Sequence, residues 1–216
     1  MKRQTAEQLS DRLSDDLIWR KKELSELKSL VENKGFSPQK HNLLTRSGIC
    51  ILYSHWEGFV KLAANSYLEY VRLKKLRYEQ LSSNFLSLAM KDKLKEAKET
   101  NKASLYIPVC DFFLVELHNK SSLPKEAIST ASNLSSEVFK EITYILGLDF
   151  SLYSTKSKLI DEKLLKNRNE IAHGNYLMID TEEYIELHTE VIGMLDTFKT
   201  QIENAVLNED FKRNLS

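Results

Sequence analysis

Punctuation is what this sequence lacks. Six Gly and three Pro are spread over 216 residues, and β-branched residues rarely alternate with polar ones, so tight turns and strands have few places to form. Helical periodicity must organise such a chain, and the expected fold class is all-α. One domain over residues 1–216 is expected, long enough to bury a core without disulfides or metals.

The helices follow from the apolar spacing. Between residue 6 and about residue 32, Leu13, Leu17, Leu24, Leu27 and Val31 recur three, four or seven apart, with charges between them. "GFSP" then breaks the chain, with Ser37 placed as N-cap and Pro38 at the first helical position of a long helix reaching about Arg77. Its middle, "GICILYSHWEGFVKLAANSYLEYV", is its most apolar part. Over residues 78–130 the pattern weakens: "KDKLKEAKET" reads as a solvated charged helix or linker, and "LYIPVCDFFLVEL" is apolar but interrupted by Pro108. This stretch is expected as a helical insertion packed on the core, between the second long helix and the C-terminal half of the chain. A helix over 134–146 is introduced by Asn133 and stopped at Gly147, and another covers about 156–173. The last begins at Asp180, with Glu183 three positions on, and carries Tyr184, His188, Val191, Leu195, Phe198 and Ile202 in four-three spacing. That stripe must bury in a bundle core or against a second subunit. The tail, 207–216, is expected to fray.

Lys plus Arg and Asp plus Glu both number 31, so no global field draws in nucleic acid and any such contact must be local. The N-terminus is too polar for a signal peptide, and no apolar run approaches the roughly 18 residues of a membrane span. A soluble, cytoplasmic protein with no membrane partner is expected. Cys50 and Cys110 have neither metal-ligand spacing nor His and Cys neighbours, and read as reduced core residues. There is no glycine-rich phosphate loop and no clustered carboxylate pair, so no metal and no cofactor is expected.

Against this plain background stands "KNRNEIAHGN", Lys166 to Asn175. Arg168 falls on the inward stripe of Ile160, Leu164 and Ile171, where a cation needs a reason, whereas His173 lies roughly 140° away on a regular helix. Gly174 favours ending the helix just after His173. An imidazole that exchanges protons near neutral pH, beside a fixed guanidinium, suits phosphate chemistry. A structural reading stands next to it: Arg168 paired to an acid of the second helix, and His173 capping the C-terminus. With eight Arg and five His in the chain, this spacing arises by chance in roughly one such sequence in five, and alone proves little.

"KNRNEIAHG" resembles the Arg-x4-His motif of the HEPN superfamily, with Asn169 in the polar slot after the Arg. "LYSHWEGFVKLAANSYLEYV" and "SNLSSEVFKEITYILGLD" are similar to the prokaryotic branch of that superfamily with RiboL-PSP-like and MAE-type members. The resemblance covers about residues 40–75 and 130–206; residues 78–130 match nothing in it. It implies a helical bundle with the motif in a late helix, dimerised so that two motifs face one cleft. In active members it implies metal-independent endoribonucleolysis through attack of the ribose 2′-hydroxyl to leave a cyclic phosphate. Arg168 would then stabilise charge on the phosphorus oxygens, His173 would serve as acid or base, and Asn169 would orient the phosphate or the His. A toxin or abortive-infection effector held in check by a regulatory protein is the implied setting. The alternative is a non-catalytic module that binds RNA, a nucleotide or a protein partner within a larger defence system.

Other residues carry smaller expectations. Glu57 is a candidate partner to orient Arg168, with His55 beside it, although both also simply flank Trp56. "VRLKKLRYE" offers Arg72, Lys74, Lys75 and Arg77 beside Tyr70 and Tyr78, an RNA-backbone patch or a solvated helix face. Asn133 is an N-cap or an RNA contact. Glu170 reads as a surface charge, and His188 as a core histidine.

Overall fold

The computed structural model describes residues 4–98, 102–125 and 133–213. Its frame is three long helices. The first, α1 (Ala6–Val31), opens with a capping box between Thr5 and Gln8; α2 (Pro38–Lys74) opens on Ser37, whose side chain accepts the Lys40 N–H; α7 (Thr181–Leu207) opens on Asp180, which accepts the Glu183 N–H. Each N-cap side chain satisfies a backbone donor that the first turn leaves without a partner. Lys21 bonds Asp196 at 2.5 Å and Ser10 bonds Glu203, fastening α1 to α7. The four-three stripe of α7, from Tyr184 to Ile202, is wholly buried within the single chain against α1 and α2. It is core, and therefore not a seam left open for a second subunit.

Gly48 sets how closely α2 and α7 approach. A Cβ there would meet Tyr184 Cε2 at 2.4 Å, so the Tyr184 ring lies against bare backbone. Further along α2, Trp56 packs on Phe139, with ring centroids 4.8 Å apart, and Phe139 also meets Tyr153 and Phe198. This aromatic cluster fixes α5 (Ser136–Ile145) and the 3-10 turns Phe150–Lys156 to the frame.

Five features differ from the sequence expectations. The second helix stops at Lys74, because Lys75 takes the left-handed conformation (φ 51°). The helix expected over 134–146 is capped by Ser135, which accepts the Val138 N–H, and not by Asn133; Gly147 ends that segment with φ 70°. The segment expected as one helix over 156–173 is a π-helix, Leu159–Lys166, followed by a short α6, Asn167–Ala172. The tail does not fray through Arg213: Phe211 is fully buried beside Tyr70, Ser82 N–H donates to its carbonyl, and Arg213 N–H donates to Gln80. Residues 214–216 lie outside the described residues.

The insertion is the fifth difference. It holds α3 (Ser83–Lys98) and α4 (Ile107–Leu114), and Pro108 sits in the first turn of α4, where a missing N–H costs nothing, rather than interrupting it. Phe112 is the one buried residue of α4 and packs on Tyr78, with ring centroids 4.8 Å apart, while Ile107, Phe113, Leu114 and Val115 are exposed. Cys110 is exposed there and Cys50 is half-buried, so neither is a core cysteine. Among the described residues no helix is long and apolar enough to cross a membrane.

Candidate functional site

The motif helix is positioned from both ends. Asp161, in the π-helical segment, accepts both the backbone N–H and the hydroxyl of Ser136, so its carboxylate sits on the N-terminus of α5. At the other end, Gly174 adopts φ 83° and its N–H donates to Ile171 while Asn175 N–H donates to Glu170. These two bonds make a Schellman termination, which needs a residue without a Cβ at the left-handed position.

Arg168 lies in a cradle made by three side chains from two segments, α2 and the loop before α5. Its guanidinium carbon is 4.0 Å from the centroid of the Tyr53 ring, Nη2 donates to Asn133 Oδ1 at 2.9 Å, and Glu57 Oε2 is 4.0 Å away. Tyr53 does double duty: its hydroxyl accepts the Leu134 N–H at 2.6 Å and so brings Asn133 to the guanidinium. Burial raises the Tyr53 phenol pKa and that of the Cys50 thiol, against which the Arg168 charge acts. An arginine packed flat on an aromatic ring, with a carboxamide and a carboxylate on its edges, is held in one orientation. Its Nε is shielded and has no protein acceptor among the described residues.

His173 is placed differently. It caps α6, its N–H donating to the Asn169 carbonyl at 2.9 Å, and its ring is exposed with no protein partner among the described residues. The wide π-helical turns end before Asn167, so regular α geometry separates Arg168 from His173 by roughly 140°. Within one chain the two point apart, the cation inward and the imidazole outward. Asn169 is half-buried between them, and its carboxamide also has no protein partner among the described residues. Glu170 accepts the Asn175 side chain at 2.6 Å, which ties the helix to the loop beyond it.

His55 does not belong to this site. It faces α1, where its Nε2 meets Glu23 at 2.7 Å and its Nδ1 meets Arg20 at 3.3 Å. Two positions along a helix turn a side chain by roughly 200°, which sends His55 and Glu57 to opposite sides of α2. Burial is the main reason its pKa is lowered, and Glu23 works in the other direction. The basic run at the end of α2 is likewise elsewhere, about 22 Å along the axis from Glu57 to Arg72. Three of its charges are occupied: Arg72 pairs with Glu69, Lys74 lies over Tyr70, and Arg77 pairs with Glu79. As an RNA-backbone patch it is poorly provided. Asn133 is a partner of Arg168 rather than a helix cap.

Set beside known families, residues 9–211 match the model of the MAE_28990-like HEPN family. The chain belongs to the HEPN superfamily. The all-α bundle is a HEPN domain, and the match spans the 78–130 stretch, which carries no motif of its own. No curated protein and no solved structure matches this HEPN chain. Reading the HEPN motif alone misses Tyr53, and with it Arg46, which donates to the Asn175 carbonyl just past the motif helix at 3.1 Å. Both lie on one stripe of α2, as Arg46, Cys50, Tyr53 and Glu57, at spacings of four, three and four; following that stripe outward from Glu57 finds them.

Proposed function

We propose that this HEPN domain is an endoribonuclease that cleaves RNA without a metal ion and works as a two-fold dimer. The carrying observation is the contrast within one short helix: an arginine locked in orientation by Tyr53, Asn133 and Glu57, and an exposed, uncommitted His173 at its end. A cation already oriented is suited to charge that develops on phosphorus oxygens, because it needs no reorganisation as the charge grows. In the reaction a base takes the 2′-hydroxyl proton and the 2′-oxygen attacks phosphorus. The bond to O5′ breaks and an acid protonates O5′, leaving a 2′,3′-cyclic phosphate and a 5′-hydroxyl. One chain offers one motif histidine, so base and acid come from His173 of each of two protomers facing a common cleft. That arrangement also answers the roughly 140° divergence, since Arg168 of one chain can serve a phosphate reached by His173 of the other. A cytoplasmic toxin or antiviral effector restrained by a regulatory protein is the setting proposed.

The second reading is a HEPN module that binds RNA or a partner without cleaving. It is favoured by the same divergence within one chain and by the neutralisation of Arg168 by Glu57. The two separate on total tRNA incubated in EDTA with wild-type protein and with His173→Ala, followed by end-group analysis. Cyclic phosphate ends produced by the wild type and absent with the variant support the nuclease; RNA retained intact but bound by both supports the module.

A further inference from the structure

Tyr176 is a large aromatic residue left 73% exposed, three positions after His173. Its exposure is not slack. Asn42 donates to its hydroxyl at 3.2 Å, the Arg46 guanidinium carbon is 5.7 Å from its ring centroid, and Arg46 Nη2 donates to the preceding carbonyl, that of Asn175, at 3.1 Å. The ring is therefore held by α2 on one side and follows the Schellman turn on the other, three residues along the chain from the exposed His173.

Arg46 is distinctive in turn. Arg12, Arg20, Arg72, Arg77 and Arg168 each lie within 4.0 Å of an Asp or Glu, whereas among the described residues Arg46 has no such neighbour, a condition it shares only with Arg213 at the far end of the chain. Its Nε is shielded and has no acceptor among the described residues. Cys50, one turn along α2, feels the charge of both Arg46 and Arg168, and of these two only Arg46 lacks a neutralising carboxylate among the described residues. A cation with no carboxylate partner among the described residues, 5.7 Å from the centre of an exposed aromatic ring, is the pairing that single-stranded nucleic acid uses: charge for the backbone, a ring for a base.

We propose that Arg46 and Tyr176 form a nucleotide-holding subsite at the turn that follows His173, in which Tyr176 stacks on a base and Arg46 holds a phosphate next to the scissile one. This rests on RNA being the ligand, as proposed above, and adds residues outside the motif. Two measurements test it on the whole chain: steady-state cleavage of a short mixed-sequence RNA, and anisotropy binding of a fluorescent 2′-O-methyl oligonucleotide, which cannot be cleaved. Tyr176→Ala should weaken binding at least about fivefold, the change falling on KM rather than kcat, while Tyr176→Phe should keep most of the affinity. Arg46→Gln should make the dependence of log affinity on log salt shallower by about 0.7, one single-strand phosphate contact. Equal binding by Tyr176→Ala and wild type overturns the subsite, and so does a Tyr176→Phe protein as weak as Tyr176→Ala, which would mean that the tether to Asn42 is what matters. Binding that depends on Tyr176 without any cleavage sinks the nuclease reading and keeps the subsite. Cleavage with KM and affinity indifferent to Tyr176 does the reverse, and absence of both binding and cleavage removes both.

Discussion

Position by position, the motif divides into a residue the fold needs and residues it can spare. His173 is exposed and its ring touches no protein group among the described residues, so His173→Ala should change unfolding free energy by less than about 0.5 kcal/mol in urea titrations. That makes it a clean probe of chemistry. Gly174 is the opposite case: its φ of 83° is left-handed, and although a Cβ would meet nothing within 4 Å, any L side chain there strains the backbone. Gly174→Ala should cost about 1 kcal/mol in the same titration and displace Asn175 and Tyr176. The His and the Gly are legible in the sequence because their roles depend on chain neighbours. The cradle of Arg168 is legible only through Glu57; Asn133 reaches it because the Tyr53 hydroxyl holds Leu134, and no local spacing encodes that.

For the helices, legibility follows the chemistry of their ends. Ser37 and Asp180 cap α2 and α7 because an N-cap bond spans only three residues. The start of α5 is ambiguous in sequence because Asn133 and Ser135 are both competent caps, and Arg168 engages the side chain of the former. The π-helix leaves no mark, since Ile160 and Leu164 point inward in either geometry. The contact between α2 and α7 carries a direct test. At Gly48 an added methyl would lie 2.4 Å from Tyr184 Cε2, closer than real carbons come. Gly48→Ala should destabilise by about 1–3 kcal/mol, seen as a lowered melting temperature, even though alanine is the better helix former. A neutral or raised melting temperature would mean that the two helices can part at no cost.

On the scale of the whole molecule, two buried histidines tie stability to pH. His55 lies between α1 and α2, near Glu23, Arg20 and Asp16; His188, on α7, is buried near Lys28 and Glu32. Burial is the leading cause lowering both pKa values from 6.5, with the Lys28 charge adding to it at His188. The unfolded chain then binds more protons than the folded one below about pH 6.5, so stability is full above that pH and falls as acidity grows towards the folded values. Denaturant midpoints should drop between about pH 7.5 and about pH 5.5, and less steeply in His188→Met. By itself the sequence determined the all-α class, the three long helices and the Arg168 to His173 motif, because helical periodicity, capping and motif spacing act within about one heptad. The tertiary structure alone decided that His55 serves α1, that both arginines of the basic run are already paired, that Phe211 docks the tail, that Tyr53 meets the motif and that Arg46 meets the turn beyond it. Those outcomes depend on which faces of distant helices turn towards each other, and a one-dimensional pattern carries no angle between helices.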